Sequence, residues 1–106
     1  MSPRALGYAT VAVLQALADG HRYGFDVIDR TGLPSGTVYP ALATLTGRGL
    51  VKSRWEDGTV AQGEGRPRRR YYELTHAGAV ALDEARRRLQ SLGLAGPPPA
   101  ADPEPA

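Results

Sequence analysis

The chain contains no cysteine. That excludes disulfides, iron–sulfur clusters and thiolate-type zinc sites. Histidine is nearly as scarce: His21 and His76 are the only two, and neither stands at ligand spacing from other donors. A metal site made within one chain is therefore not expected, and no cofactor is implied. Serine and aspartate are present, but there is no Gly-x-Ser-x-Gly elbow, no phosphate loop and no paired-carboxylate signature, so the chain does not read as an enzyme. No segment approaches the roughly 20 apolar residues of a membrane span. Met1-Ser2-Pro3-Arg4 carries one charge and leads into no long apolar stretch ending at a cleavage site, which is not the pattern of a signal peptide. A soluble, cytoplasmic chain without membrane attachment is expected. Lysine is almost missing as well: Lys52 is the only one among thirteen basic residues, the rest being arginine.

What is present suits one small domain. The length is 106 residues and 42 % of them are apolar. A core of this size is modest, so dimerisation would help bury apolar surface. Net charge is only +2, but its distribution is uneven. Between Arg48 and Arg70 there are seven bases (Arg48, Lys52, Arg54, Arg66, Arg68, Arg69, Arg70) against three acids (Glu56, Asp57, Glu64). That stretch carries +4 and the remainder −2. A local basic patch on a near-neutral chain is the pattern of a phosphate-contacting surface.

Periodicity supplies the elements. A first helix is expected from about Ala5 to Ala18, with Leu6, Ala9, Val13, Ala16 and Leu17 at helical spacing. Tyr8, Val11 and Leu14 lie off that stripe, so this helix is apolar on most sides and needs cover from more than one. Asp19-Gly20 stops it. A short second helix runs from Tyr23 to about Arg30, and Thr31-Gly32-Leu33-Pro34 reads as a tight turn. A third helix follows from Ser35, the expected N-cap, to about Arg48, with Val38, Ala41, Leu42 and Leu45 inward. Its opposite face carries Gly36, Pro40, Ala43 and Gly47, flanked by Thr37, Tyr39, Thr44 and Arg48. Pro40 predicts an irregular or 3₁₀-like first turn. Leu50 to Glu56 and Arg68 to Leu74 read as two strands, with Trp55 in the core. The segment Asp57–Pro67, with three glycines, reads as a flexible loop. Thr75 caps a last helix reaching about Leu92, in which Leu82, Ala85, Leu89 and Leu92 form a coiled-coil-like seam. Asp83–Arg87 and Glu84–Arg88 are acid-before-base pairs on its outer face. Residues 94–106 are proline-rich and read as a disordered tail.

The order helix, helix, turn, helix, strand, strand, helix describes a mostly α, α+β fold: a winged helix-turn-helix with a two-stranded wing and a C-terminal dimerisation helix. The expected organisation is a DNA-binding domain over 5–75, a dimerisation helix over 76–93 and the tail. In this architecture the third helix enters the major groove. The sequence resembles the PadR family of bacterial transcriptional regulators, in its short subgroup with a single C-terminal helix. The resemblance rests on Tyr23-Gly24-Phe25, on Ser35-Gly36-Thr37-Val38-Tyr39-Pro40-Ala41-Leu42 with Leu45, and on Gly49-Leu50-Val51. It continues in Arg66-Pro67-Arg68-Arg69-Arg70-Tyr71-Tyr72 and Leu74-Thr75-His76-Ala77-Gly78. It implies a homodimer built on the first and last helices, and often a repressor of detoxification or efflux genes, acting on a pseudo-palindromic operator. The connection from Arg30 to Ser35 is shorter than in the family, and Thr46-Gly47 stands where its members tend to carry Glu.

The candidate contacts to double-stranded DNA are Ser35, Thr37, Tyr39, Pro40 and Thr44 on the third helix, and Lys52, Arg54, Arg66, Arg68 and Arg69 on the wing. Hydroxyls and guanidinium groups reach phosphates or base edges, and small residues let the backbones approach. Strand alternation means that Arg68, Arg69 and Arg70 cannot all face one way; the plainer reading of the cluster is a solvated hairpin tip. The candidate dimer interface is Leu6, Tyr8, Val11, Leu82, Ala85, Leu89 and Leu92. The resemblance also admits a small-molecule effector at the dimer interface, although no aromatic follows Tyr72, so only Tyr8 could line such a site. The alternative function is a winged-helix protein–protein module without DNA binding, against which the basic 48–70 stretch argues.

Overall fold

The structure, a computed structural model, describes residues 6–93. Helix α1 spans Tyr8–Ala18, α2 Gly24–Thr31 and α3 Ser35–Gly47. Strand β1, Val51–Trp55, is followed by a short helix α4, Gly58–Gly63, then by strand β2, Arg70–Leu74, and the long helix α5, His76–Ser91. The strands pair antiparallel, with Val51 opposite Leu74 and Trp55 opposite Arg70. The sheet's other edge is partly tied down: the Tyr72 amide donates to the Arg22 carbonyl at 2.7 Å, and Tyr23 forms a bridge with Tyr71.

One apolar core joins these pieces. Val11, Val13, Leu14, Ala16 and Leu17 of α1 meet Val27 of α2, Val38, Leu42 and Leu45 of α3, Val51 of β1, and Leu82 and Ala85 of α5. Helix α1 is the centre of the body, packed against α2, α3, α5 and β2. That explains its sequence: an axis covered from several directions has little room for polar side chains.

The joint between the wing and α5 is specified in detail. Thr75 caps α5 as expected: its hydroxyl accepts from the Gly78 amide at 3.0 Å and donates to the Gly49 carbonyl at 2.7 Å. Gly78 lies so close to the turn after α3 that a Cβ there would stand 1.9 Å from the Leu50 carbonyl oxygen. Only glycine permits this approach of two backbones.

Four expectations are corrected. The N-cap of α3 is Pro34, and Ser35 is already helical. Proline fixes the extended approach, and its carbonyl receives the Thr37 and Val38 amides at 2.9 and 3.0 Å, so the first turn is 3₁₀-like at one bond and α-helical at the next. The wing segment is not a plain loop: Asp57 caps α4 by accepting from the Thr59 amide at 2.8 Å. Trp55 is not in the core but 55 % exposed. It is the last residue of β1, opposite Arg70 at the start of β2. Helix α1 begins at Tyr8; Ala5 and the residues 94–106 lie outside the described residues. Among the described residues no helix is long and apolar enough to cross a membrane, and no cluster of His, Asp and Glu forms a metal site.

Candidate nucleic-acid interface

The outer face of α3 is open and carries little charge. Ser35, Gly36, Tyr39, Pro40, Ala43, Thr44 and Gly47 are exposed, and Thr37 is half-buried. Its charge comes only at the end, with Arg48. Pro40, inside the helix, has no amide to donate to the Gly36 carbonyl. The tip of the Tyr39 ring packs against the neighbouring helix. A Cβ on Gly24 would fall 2.2 Å from the Tyr39 hydroxyl oxygen and 2.4 Å from its ring carbons, so the ring rests on the bare backbone at the start of α2.

The wing is organised by one buried acid. Glu56 is 5 % exposed. Its carboxylate accepts two short bonds from the Arg66 guanidinium, at 2.6 and 2.7 Å. It also accepts from the Arg69 amide and the Tyr71 hydroxyl, each at 3.1 Å. A fork-on-fork pair with two further donors is a strong arrangement. The Arg66 hydrogen bonds, aided by the Arg69 amide and the Tyr71 hydroxyl against the opposing effect of burial, hold the Glu56 carboxyl at about 2, below its ordinary 4.5. Arg66 is raised in turn by Glu56 and then Glu64. Arg66 thus closes the base of the wing over Glu56 and Glu64, its charge already paired.

The other wing arginines have no acidic partner among the described residues. They lie on aromatic rings instead. Arg69 stands 4.1 Å from the Tyr23 ring centre, and Tyr23 meets Tyr71 edge-on. Arg54 lies over Tyr71 at 5.1 Å. Arg68 and Arg70 share Trp55 at 5.6 and 5.7 Å. The alternation argument holds: Arg68 and Arg70 go to one ring and Arg69 to another. Such contacts restrain the side chains yet leave their charge unneutralised. Lys52, by contrast, is opposed by Glu73 at 3.6 Å.

Between α3 and the wing runs a groove of about 530 Å³, lined by Tyr23, Gly24, Phe25, Tyr39, Trp55, Tyr72 and the segment Arg66–Arg70. The structure thus brings Tyr39 together with Arg68 and Arg69. Ser35, Thr37, Pro40, Thr44, Lys52 and Arg54 do not line it. Sequence reasoning missed Tyr23, Phe25, Trp55, Arg70 and Tyr72 as members of one site. The available signal was the period of β2, which puts Arg70 and Tyr72 on one side of the strand.

Of the candidate dimer residues, Val11, Leu82 and Ala85 are buried in the subunit's own core. Leu6 and Leu89 are half-buried against that core, while Tyr8 and Leu92 are exposed, at 77 and 62 %. His21, in the loop between α1 and α2, has its Nδ1 2.9 Å from an Asp26 carboxylate oxygen. His76 is exposed at the start of α5.

The family model for PadR-like transcriptional regulators matches residues 13–84. The chain belongs to the PadR-like family. It is accordingly a DNA-binding transcriptional regulator with a winged-helix fold, and PadR-like proteins are regulators, not enzymes. Among solved structures, a PadR family transcription regulator from hypervirulent Clostridium difficile superposes with a TM-score of 0.71 at 26 % identity, over 82 % of this chain and 92 % of that one. A PadR-like transcription factor from Bacteroides fragilis gives 0.68 at 26 % identity, over 79 % and 82 %. Bordetella bronchiseptica BpsR, whose DNA binding is regulated by 6-hydroxynicotinic acid, gives 0.68 at 21 % identity over 94 % and 74 %, a likeness of fold alone. No curated protein matches the sequence.

Proposed function

We propose that this PadR-like chain is a cytoplasmic, sequence-specific repressor that binds a pseudo-palindromic operator as a homodimer. The observation that carries the reading is the pairing of two surfaces: an open α3 face of small and hydroxyl-bearing residues beside Arg54, Arg68, Arg69 and Arg70, which have no acidic partner among the described residues. In this reading Ser35, Thr37, Tyr39, Pro40 and Thr44 approach the major groove, and Arg54, Arg68 and Arg69 meet phosphates. Lys52 joins them by exchanging Glu73 for a phosphate. Arg66 serves indirectly, by holding the wing. Tyr8 and Leu92, with the half-buried Leu6 and Leu89, form the dimer contact, where a small apolar effector acts by shifting the DNA-competent population.

The test is a fluorescence-anisotropy titration with DNA from the gene's own upstream region against a scrambled duplex, at two salt concentrations. Preference for the upstream DNA that persists at the higher salt is expected, with footprinted half-sites about one helical turn apart. Failure to bind either duplex at low salt would refute the reading.

A further inference from the structure

Helix α3 lacks the side chains that ordinarily tell one base pair from another. Bidentate readout of guanine uses Arg or Lys and that of adenine Asn or Gln, while Asp or Glu accepts from cytosine. None of these residue types occurs between Ser35 and Gly47. The nearest charge in sequence, Arg48, is the C-cap. It lies about 20 Å along the axis from Ser35, whereas the N-terminal turns of a recognition helix meet the base edges.

The outer face of α3 offers hydroxyls and carbon instead. Tyr39, Pro40, Ala43 and Thr44 are exposed there, and Thr37 is half-buried. A hydroxyl both donates and accepts, so it pairs with either kind of base edge and discriminates poorly. Methyl carbons have one distinctive partner in the major groove, the C5-methyl of thymine. Thr46 is already engaged, its hydroxyl donating to the Leu42 carbonyl at 2.8 Å. Thr37 and Thr44 lie about two helical turns apart and share one side of the helix. Ala43 stands beside Thr44.

We propose that α3 selects its operator by the C5-methyl of thymine, read by the methyl groups of Thr37, Ala43 and Thr44. This deepens the DNA-binding reading above and rests on it: phosphate contacts supply affinity, and the thymine methyl carries the choice of sequence. 5-Methylcytosine has a methyl at the same ring position. This helix should therefore accept it in place of thymine better than it accepts cytosine.

The experiment alters the DNA and leaves the protein untouched. The full-length protein selects duplexes from a random pool, and the enriched duplex is synthesised again in three forms. Deoxyuridine for thymidine removes only the methyl. A C·G pair at the enriched T·A positions removes the methyl and changes the pairing edge. 5-Methylcytosine in that C·G pair restores the methyl alone. Affinities are measured by fluorescence anisotropy at two salt concentrations. Each enriched half-site should contain thymine. One buried methyl is worth about fourfold in affinity, so deoxyuridine in both half-sites should weaken binding by about tenfold or more. The salt slope should not change, because no phosphate contact is altered. 5-Methylcytosine should recover most of the loss seen with cytosine. The double variant Thr37→Ser, Thr44→Ser keeps both hydroxyls and deletes both methyls; its preference for thymine over uracil should shrink to about threefold or less. Equal affinity of the wild type for the thymine and uracil duplexes overturns the methyl readout and leaves DNA binding intact. A thymine preference undiminished in the double variant overturns the assignment to these threonines. Duplexes bound without enrichment of any sequence remove both the methyl readout and sequence-specific recognition. No binding to any duplex at low salt removes the DNA-binding reading itself.

Discussion

The helical body and the wing are held together by different physics. The body is one apolar core in which Leu14, Val13, Val27, Val38 and Leu45 are all inaccessible, and its ion pairs, such as Arg30–Asp19, lie at the surface. The wing has almost no core beyond Val51 and Ala61; it is shaped by Glu56, Arg66, Tyr71 and the Asp57 cap. Apolar burial carries no proton to gain or lose, whereas a carboxylate–guanidinium hub depends on protonation and screening. The part that carries the free arginines is thus also the part most open to solution conditions. The difference teaches that loss of the wing need not be loss of the fold.

The largest effects should come from the body. Leu14→Ala opens a cavity at the meeting point of the helices and is expected to cost about 2–5 kcal/mol. Gly78→Ala pushes a Cβ into the Leu50 carbonyl, which forces α5 away from the turn and costs about 3 kcal/mol or more. A small domain holds only about 5–15 kcal/mol in total. Urea denaturation followed by far-ultraviolet circular dichroism measures both. A Gly78→Ala protein as stable as the wild type would mean that α5 is not pinned at this point.

The wing should fail first in acid. Glu56 has a folded-state value of about 2 against an ordinary 4.5. The folded state therefore binds fewer protons than the unfolded chain between these limits. The stabilisation is complete above about pH 5 and is lost as the pH falls toward 2. Trp55 emission should change across that window while the helical signal of the body persists longer. In Glu56→Gln the acid dependence of the Trp55 signal should shrink, and the wing should already be loosened at neutral pH, because Arg66 loses its charged partner. Simultaneous loss of both signals in the wild type would show that body and wing unfold as one unit.

The same contrast accounts for what the sequence made legible. The helices announced themselves because a 3.6-residue apolar period does not depend on distant partners; Val38, Ala41, Leu42 and Leu45 define the inner face of α3 by spacing alone. Thr75 was readable for the same local reason. The wing was harder, since its order comes from a pair ten residues apart, Glu56 and Arg66, joined only in space. A glutamate after a strand and an arginine after a glycine-rich stretch look solvated until they are seen to meet. Trp55 was misplaced because strand alternation tells which face a residue is on, not whether that face is still covered. α4 was hidden by its three-glycine setting, although Asp57 before Gly58-Thr59 is a cap that local reasoning can find.

The smallest expected effect sharpens the comparison most, because it should separate stability from binding. Gly24 is the first residue of α2, and alanine there would ordinarily favour the helix by up to about 1 kcal/mol. Here the added methyl takes the space of the Tyr39 ring. Tyr39 is 41 % exposed, so it can swing outward at little cost to the core. Gly24→Ala should therefore melt within about 1 kcal/mol of the wild type. DNA affinity should nevertheless fall by roughly fivefold, the equivalent of about 1 kcal/mol for one displaced hydroxyl contact. Tyr39→Phe in the same assay isolates the hydroxyl: equal losses in the two variants place the effect on that atom, and a larger loss in Gly24→Ala places it on the seat of the ring. Unchanged binding in both would take Tyr39 out of the interface and leave the wing arginines to carry the contact.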